Sequence, residues 1–160
     1  MESIFNYPKE QYELVRESRK VLFTYCKTIS PIDFVKENSS FGRGGSIRNL
    51  LVHIANIYEF WIAKHGLNKN IIFTVYDSRE SISDIIDLFD AVDIIMYEFI
   101  ESLEKPATKQ IYYEINGVKN SVGLLKLFTH VITHEFHHKG QILSISKHLG
   151  YTPVDTDIIR

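Results

Sequence analysis

Four long stretches of the chain repeat apolar residues every three or four positions, and this spacing restricts the possible folds more than any other feature. The stretches run from about Lys9 to Thr28, from Ser46 to just before Gly66, from Ser81 to Leu103 and from Ser121 to Leu149. Such spacing puts the apolar side chains on one face of an α-helix. The sequence therefore predicts an all-α four-helix bundle, formed by a single domain over residues 1–160.

A short β-hairpin is predicted between the third and fourth helices. The run Gln110–Ile115 is rich in β-branched and aromatic residues, and the pair Asn116-Gly117 that follows suits a tight turn. The return strand, Val118–Asn120, is short. We expect the hairpin to be an addition to a helical domain.

Composition and charge exclude several classes of protein. The formal net charge is −2 and the isoelectric point is about 6.4, so no general electrostatic attraction to nucleic acid is expected. No apolar run reaches the roughly 18 residues that a membrane span needs, and the first eight residues do not resemble a signal peptide. Cys26 is the only cysteine, which excludes an internal disulfide. We predict a cytoplasmic protein with neither nucleic-acid nor membrane partners.

The last predicted helix carries four of the seven histidines, within nine residues. His134 and His138 are four positions apart, so their rings leave the helix about 40° apart, as in helices that give two nitrogens to one ion. His130 and His137 fall nearer the polar side and are flanking candidates. His53 lies on the apolar stripe of the second helix. Three imidazoles in one interior need a shared partner, so His53, His134 and His138 predict an open metal site.

The motif His134-Glu135-Phe136-His137-His138 also fits the His-Glu-x-x-His pattern of zinc proteases, in which the glutamate is the general base. The glycine and third histidine of the metzincin motif are replaced by Gln141 and Ser144, which argues against a protease. Glu135 is then either a candidate catalytic residue that orients a bound water or a surface helix former. A metal-free bundle, with His53 as an ordinary core residue, is the alternative to the metal site.

Three segments resemble one known family. The segment His130–Ile142, with the sequence H-V-I-T-H-E-F-H-H-K-G-Q-I, strongly resembles the signature of the DinB/YfiT-like proteins. Ser46–Ile54 and Leu149–Asp157 are similar to the second-helix segment and the usual ending of that family. Lys139 stands where the family usually has arginine, and a lysine cannot make the same bidentate contact with an anion.

The resemblance implies an up-down-down-up style four-helix bundle, often homodimeric, with a divalent metal held by the matching residues His53, His134 and His138. Characterised branches of the family include metal-dependent transferases and isomerases that use bacillithiol or mycothiol. We therefore predict a metal-dependent transferase that moves a low-molecular-weight thiol to an electrophile, in detoxification or stress response. An acidic thiol cosubstrate would be anchored by Arg43, Arg48 or Lys139.

Two other functions remain open at this point. One is a metal-dependent hydrolase in which bound hydroxide is the nucleophile and Glu135 the possible base. The other is a stress-related metal-binding module without enzymatic activity. Imidazole ligands suit several ions; zinc and nickel are the leading candidates, with manganese, cobalt and iron as alternatives.

Overall fold

Four long helices form a bundle in the computed structural model, which describes residues 7–38, 40–41, 45–103 and 110–160. The helices are α1 (Tyr7–Cys26), α2 (Pro31–Val35), α3 (Ile47–Tyr58), α4 (Ile82–Ser102) and α5 (Leu124–His148), with an antiparallel hairpin of β1 (Gln110–Ile115) and β2 (Val118–Gly123) before α5. The predicted all-α bundle with a short hairpin is confirmed. No helix in these described ranges combines the length and apolar character needed to cross a bilayer.

The helix boundaries follow the capping residues, with one correction. Ser46 Oγ accepts a hydrogen bond from the backbone N–H of Asn49 at 2.9 Å and starts α3, as predicted. Ser81 starts α4 through a capping box with Asp84. Ser121, the predicted N-cap of α5, is instead paired with Tyr112 in the hairpin, and the observed N-cap is Gly123, two residues later.

The short helix α2 was not predicted. Ser30 ends the turn after α1, and its hydroxyl then accepts a hydrogen bond from the backbone N–H of Asp33 at 3.2 Å. Pro31 occupies the first helical position, where its missing N–H costs nothing. The pair Ser30-Pro31 therefore follows the end of α1 and also starts α2.

Helix packing determines which faces meet. Both α1 and α3 pack against α4 and α5, which places α1 and α3 on opposite sides of the bundle. The core consists of the inward apolar positions of these helices, and its largest fully buried aromatic side chains are Tyr12, Tyr58, Phe99 and Phe128. Residues on α3 and α5 can therefore meet directly, as a site formed by His53 and the histidines of α5 requires.

A π-helical segment, Glu59–Gly66, continues α3. The backbone N–H of Leu67 donates to the carbonyl of Ile62, five residues earlier, at 2.8 Å. This register brings the rings of Phe60 and His65 to a centroid distance of 4.7 Å, although residues five apart in an α-helix point about 140° away from each other. Strand β1 packs against this segment and β2 against α5.

Candidate metal centre

Three imidazole rings from two helices converge between α3 and α5. His134 Nε2 lies 3.2 Å from His53 Nε2 and 3.0 Å from His138 Nε2. One ring nitrogen from each residue falls within 4.8 Å of the other two. His53 and His138 are buried, whereas His134 is half-buried. The structure thus brings together the three residues that the sequence predicted as ligands and leaves one of them partly open to solvent.

The nitrogen spacing fits a shared ion. Two imidazole nitrogens bound at about 2.0–2.1 Å, with an angle at the ion between 90° and the tetrahedral value, are about 2.8–3.4 Å apart. The two short distances fall inside that range. Hydrogen bonding alone explains these two nitrogen–nitrogen distances less well, because His134 Nε2 carries at most one hydrogen and lies close to two other nitrogens. Three nitrogen donors suit a divalent ion with a position left for water or substrate.

Gln141 orients His138 for this role. His138 Nδ1 lies 2.6 Å from Gln141 Oε1, one helical turn further along α5. An amide oxygen only accepts, so the hydrogen is on Nδ1 and the lone pair of His138 is on Nε2, which points to the other two histidines. Residues three apart on a helix face the same side, which is why Gln141 can reach the ring.

The two flanking histidines stay outside the group. His130 and His137 are exposed, and neither belongs to the cluster of nitrogens that can hold one ion in the described part of the chain. Their rings pack beside the site instead. The His130 centroid lies 5.5 Å from that of His134, and the His137 centroid lies 4.9 Å from that of His138.

Comparison with protein-family models finds a match to the DinB family over residues 3–160. The chain belongs to the DinB family. The match includes both helices that carry the three histidines and extends to the last residue. A search of curated proteins found no match to the chain.

Glu135 of this DinB-family chain is buried inside the bundle. Its carboxylate is 1% exposed and accepts two hydrogen bonds from Arg19, at 2.9 and 2.8 Å, and one from Tyr58 at 2.6 Å. Burial alone would raise the pKa of this carboxyl, but the charges of Arg19 and Lys139 outweigh it and lower the pKa to about 2. Glu135 is therefore an ionised, fully engaged acceptor, not the surface helix former considered from sequence, and its placement lends no support to a catalytic role.

The ion pair of Glu135 belongs to a larger network that joins all four long helices. Arg19 also donates to Asp93 Oδ1 on α4 at 2.8 Å, and Tyr12 donates to the same oxygen at 2.7 Å. Arg16 donates to the other oxygen of Asp93 at 2.8 Å. We call Tyr12, Arg19, Tyr58, Asp93, Glu135 and Lys139 the buried polar network. Opposite charges and hydroxyl donors compensate one another within it, as buried charged groups require.

Two of the three predicted thiol anchors lie in the part of the chain that the structure describes, and of these two Arg48 is partly exposed and Lys139 is buried. Arg48 is half-buried on the first turn of α3 and uses Nε to donate to Asn49 Oδ1 at 3.0 Å. Lys139 is 1% exposed, and its Nζ donates to Ser18 Oγ at 2.8 Å and lies 3.3 Å from Glu135 Oε1. Burial lowers its pKa to about 8 despite the neighbouring carboxylate. Arg43 lies outside the described residues.

Sequence reasoning missed Gln141, Arg19 and Asp93. Gln141 could have been found from its spacing, three residues after His138 on the same helix face. Arg19 and Asp93 are buried at positions that continue the apolar repeats of α1 and α4. A charged residue at an inward position of a helix is the signal that would have predicted a buried network.

Proposed function

We propose that this DinB-family protein is a divalent-metal-dependent transferase that moves a low-molecular-weight thiol to an electrophile. The observation that carries the proposal is the convergence of His53, His134 and His138 on one point between two helices, with nitrogen spacings that suit a shared ion. A divalent ion bound there would lower the pKa of a coordinated thiol, so that the thiolate predominates at neutral pH.

Each of the residues at the site has its own role in the proposed reaction. His53, His134 and His138 would hold the ion from two helices, and Gln141 keeps the His138 lone pair turned toward the centre. The half-buried His134 marks the side from which the thiol and the electrophile approach. The thiolate sulfur attacks the carbon that bears a leaving group such as a halide. The new carbon–sulfur bond forms as the carbon–halogen bond breaks, the halide leaves with its electron pair, and the thiol proton passes to solvent.

The nucleophilic sulfur has to come from a cosubstrate. Cys26, the only cysteine, is 1% exposed, and burial raises the pKa of its thiol to about 12. A protonated thiol inside the core cannot attack a substrate at neutral pH. This supports a small external thiol, with bacillithiol as the first candidate from the family resemblance. Arg48 is the proposed anchor for an acidic group on it, because a guanidinium that uses one N–H for Asn49 keeps further donors.

Hydrolysis is the weaker alternative, because the only base proposed for it from sequence is Glu135. Its carboxylate is enclosed by Arg19, Lys139 and Tyr58, and its pKa is lowered to about 2. Such a group is a poor proton acceptor near neutral pH. We retain a metal-binding module without activity as the other alternative, since the histidine geometry by itself supports binding alone.

The identity of the ion, the biological role and the assembly state are further parts of the proposal. Three imidazoles favour zinc or nickel among the common divalent ions. A role in detoxification or stress response and a homodimeric assembly follow from the family resemblance. Light scattering on the purified protein tests the assembly, and a mass of one chain would contradict a dimer.

The first experiment compares metal content by elemental analysis in wild-type protein, His53→Ala and His138→Ala. His137→Ala is the matched control, because it removes an exposed imidazole from the same helix. We expect both ligand variants to lose the ion and the control to keep it. Unchanged metal content in both ligand variants would refute the site.

The second experiment tests the reaction. Metal-loaded protein is incubated with bacillithiol, cysteine or another small thiol and with a haloalkyl or bimane electrophile, and the conjugate is quantified. Metal-dependent conjugation that His138→Ala abolishes supports the transferase. Metal-dependent stabilisation without conjugation of any thiol would instead support the module without activity.

A further inference from the structure

Three aromatic rings from three elements form a continuous surface beside the metal centre. Trp61, on the π-helical segment, has its ring centroid 5.0 Å from that of Tyr113 on β1 and 5.4 Å from that of His130 on α5. The His130 ring in turn lies 5.5 Å from that of His134. We call Trp61, Tyr113 and His130 the aromatic wall; it extends from the hairpin to the candidate ligands.

The rings of the wall are arranged to accept a further ring. The plane of the Trp61 ring makes an angle of 83° with that of Tyr113 and 80° with that of His130, so each contact is edge to face. Trp61 and Tyr113 are half-buried and His130 is exposed, so none of the three is enclosed by the core. A planar ligand gains from such a surface by stacking on one face and meeting the edge of its neighbour.

A ring nitrogen of His65 is buried beside the aromatic wall. His65 Nε2 is buried and has no hydrogen-bond partner among the described residues, and its ring lies 5.9 Å from Trp61 and 6.0 Å from Tyr113. Burial, together with the charge of Lys64, lowers the pKa of His65, which favours the neutral ring. Because this nitrogen is enclosed, a ligand that lies on the exposed rings does not reach it, and the proposed subsite does not depend on it.

We infer that the aromatic wall is the subsite for the electrophile and that the substrates of this protein are planar aromatic or conjugated electrophiles. The inference rests on the proposed thiol transfer. Its particular support is the continuity of the wall with His134: the Trp61 ring contacts that of His130, and the His130 ring contacts that of His134, a ligand of the centre where the thiolate would be formed. A small aliphatic electrophile gains no stacking energy from these rings. The wall should therefore favour aromatic or conjugated electrophiles over aliphatic ones.

The test compares two electrophiles that react with the same thiol, planar monobromobimane and aliphatic iodoacetamide. Tyr113→Leu removes one ring of the wall. Tyr112→Leu is the matched control, because Tyr112 is the neighbouring residue of β1 and is 78% exposed. We expect Tyr113→Leu to raise KM for monobromobimane about two- to twelve-fold, the range given by the loss of one ring contact, with kcat and the KM for iodoacetamide unchanged. Equal changes for both electrophiles, or no change for either, would overturn the inference.

A second readout does not depend on turnover. Trp61 is the only tryptophan, so its fluorescence reports occupancy of the wall. Dimethylbimane, which has no leaving group, should quench this fluorescence saturably in wild type and more weakly in Tyr113→Leu. Saturable quenching without conjugation of any thiol would retain the subsite and refute the proposed transferase. Linear, unsaturated quenching in a protein that does conjugate monobromobimane would refute the subsite alone.

Discussion

Replacing Glu135 by glutamine distinguishes a structural carboxylate from a catalytic one. In the native bundle the charges of Arg19 and Lys139 are balanced by those of Glu135 and Asp93. Glutamine keeps the shape of the side chain and removes the charge, so that Lys139 loses its carboxylate partner and Arg19 keeps only Asp93, which it shares with Arg16. Breaking a buried ion pair on one side costs about 3–5 kcal/mol, because the remaining charge stays desolvated without compensation. We therefore expect Glu135→Gln to be strongly destabilised.

The expected size of the effect makes it easy to measure. For a chain of this length, 1 kcal/mol of stability corresponds to a shift in melting temperature of about 2–4 °C. Glu135→Gln should accordingly melt about 6–20 °C below wild type. The measurement is thermal unfolding followed by far-ultraviolet circular dichroism, with both proteins freed of metal by a chelator, so that any difference in metal binding does not contribute.

Glu98→Gln is the matched control. Glu98 pairs with Lys69 at 2.6 Å, but the two side chains are 48% and 42% exposed. Exposed pairs contribute about 0–1 kcal/mol, so this variant should melt close to wild type. If Glu135→Gln melts within about 2 °C of wild type and nevertheless loses conjugation activity, Glu135 acts in the reaction and our interpretation of the buried network is wrong.

Three further predictions concern single residues: Gln141, Cys26 and Ser81. Gln141→Leu removes the acceptor that orients His138 and should weaken metal binding about 10–100-fold in a chelator competition; unchanged affinity would contradict the orienting role. Cys26, buried and with its pKa raised to about 12, should react with an aromatic disulfide reagent only in denaturant, and rapid labelling in native buffer would show that the core opens. Ser81→Ala removes the capping box with Asp84 and should cost about 1 kcal/mol, seen by calorimetry as a melting temperature about 2–4 °C lower; no shift would show that the cap does not stabilise α4.

Apolar periodicity predicted the fold and the three converging histidines, because both depend on which face of a helix a residue occupies. The same logic identifies Arg19, Asp93 and Glu135 as inward residues once charged side chains are counted in the repeats. Arg19 continues the spacing from Val15 to Leu22 on α1. The partners of these charges could not be predicted, since each lies on a different helix and the pairing depends on how the helices pack.

Local sequence signals predicted the hairpin correctly but failed to predict the start of α5 and the π-helical segment. The hairpin was predicted because Asn116-Gly117 favours a tight turn whatever surrounds it. The N-cap of α5 was predicted two residues early, at Ser121 instead of Gly123, because serine suits a helix cap and the competing pairing of Ser121 with Tyr112 is tertiary. The π-helical segment was not predicted, since a π-turn differs from an α-turn only in the register of its hydrogen bonds and uses ordinary helix-forming residues.

The π-helical segment at the end of α3 also affects how this protein can change by insertion and deletion. A π-turn holds one residue more than an α-turn. Deleting one residue between Phe60 and His65 would therefore place these two residues four positions apart in an α register, where they would still share one face of the helix. The ligand itself precedes the segment and would keep its position. Loss of a single codon here can thus be absorbed by the change of register, so that the metal-binding residues and the facing of the residues after the deletion are both retained.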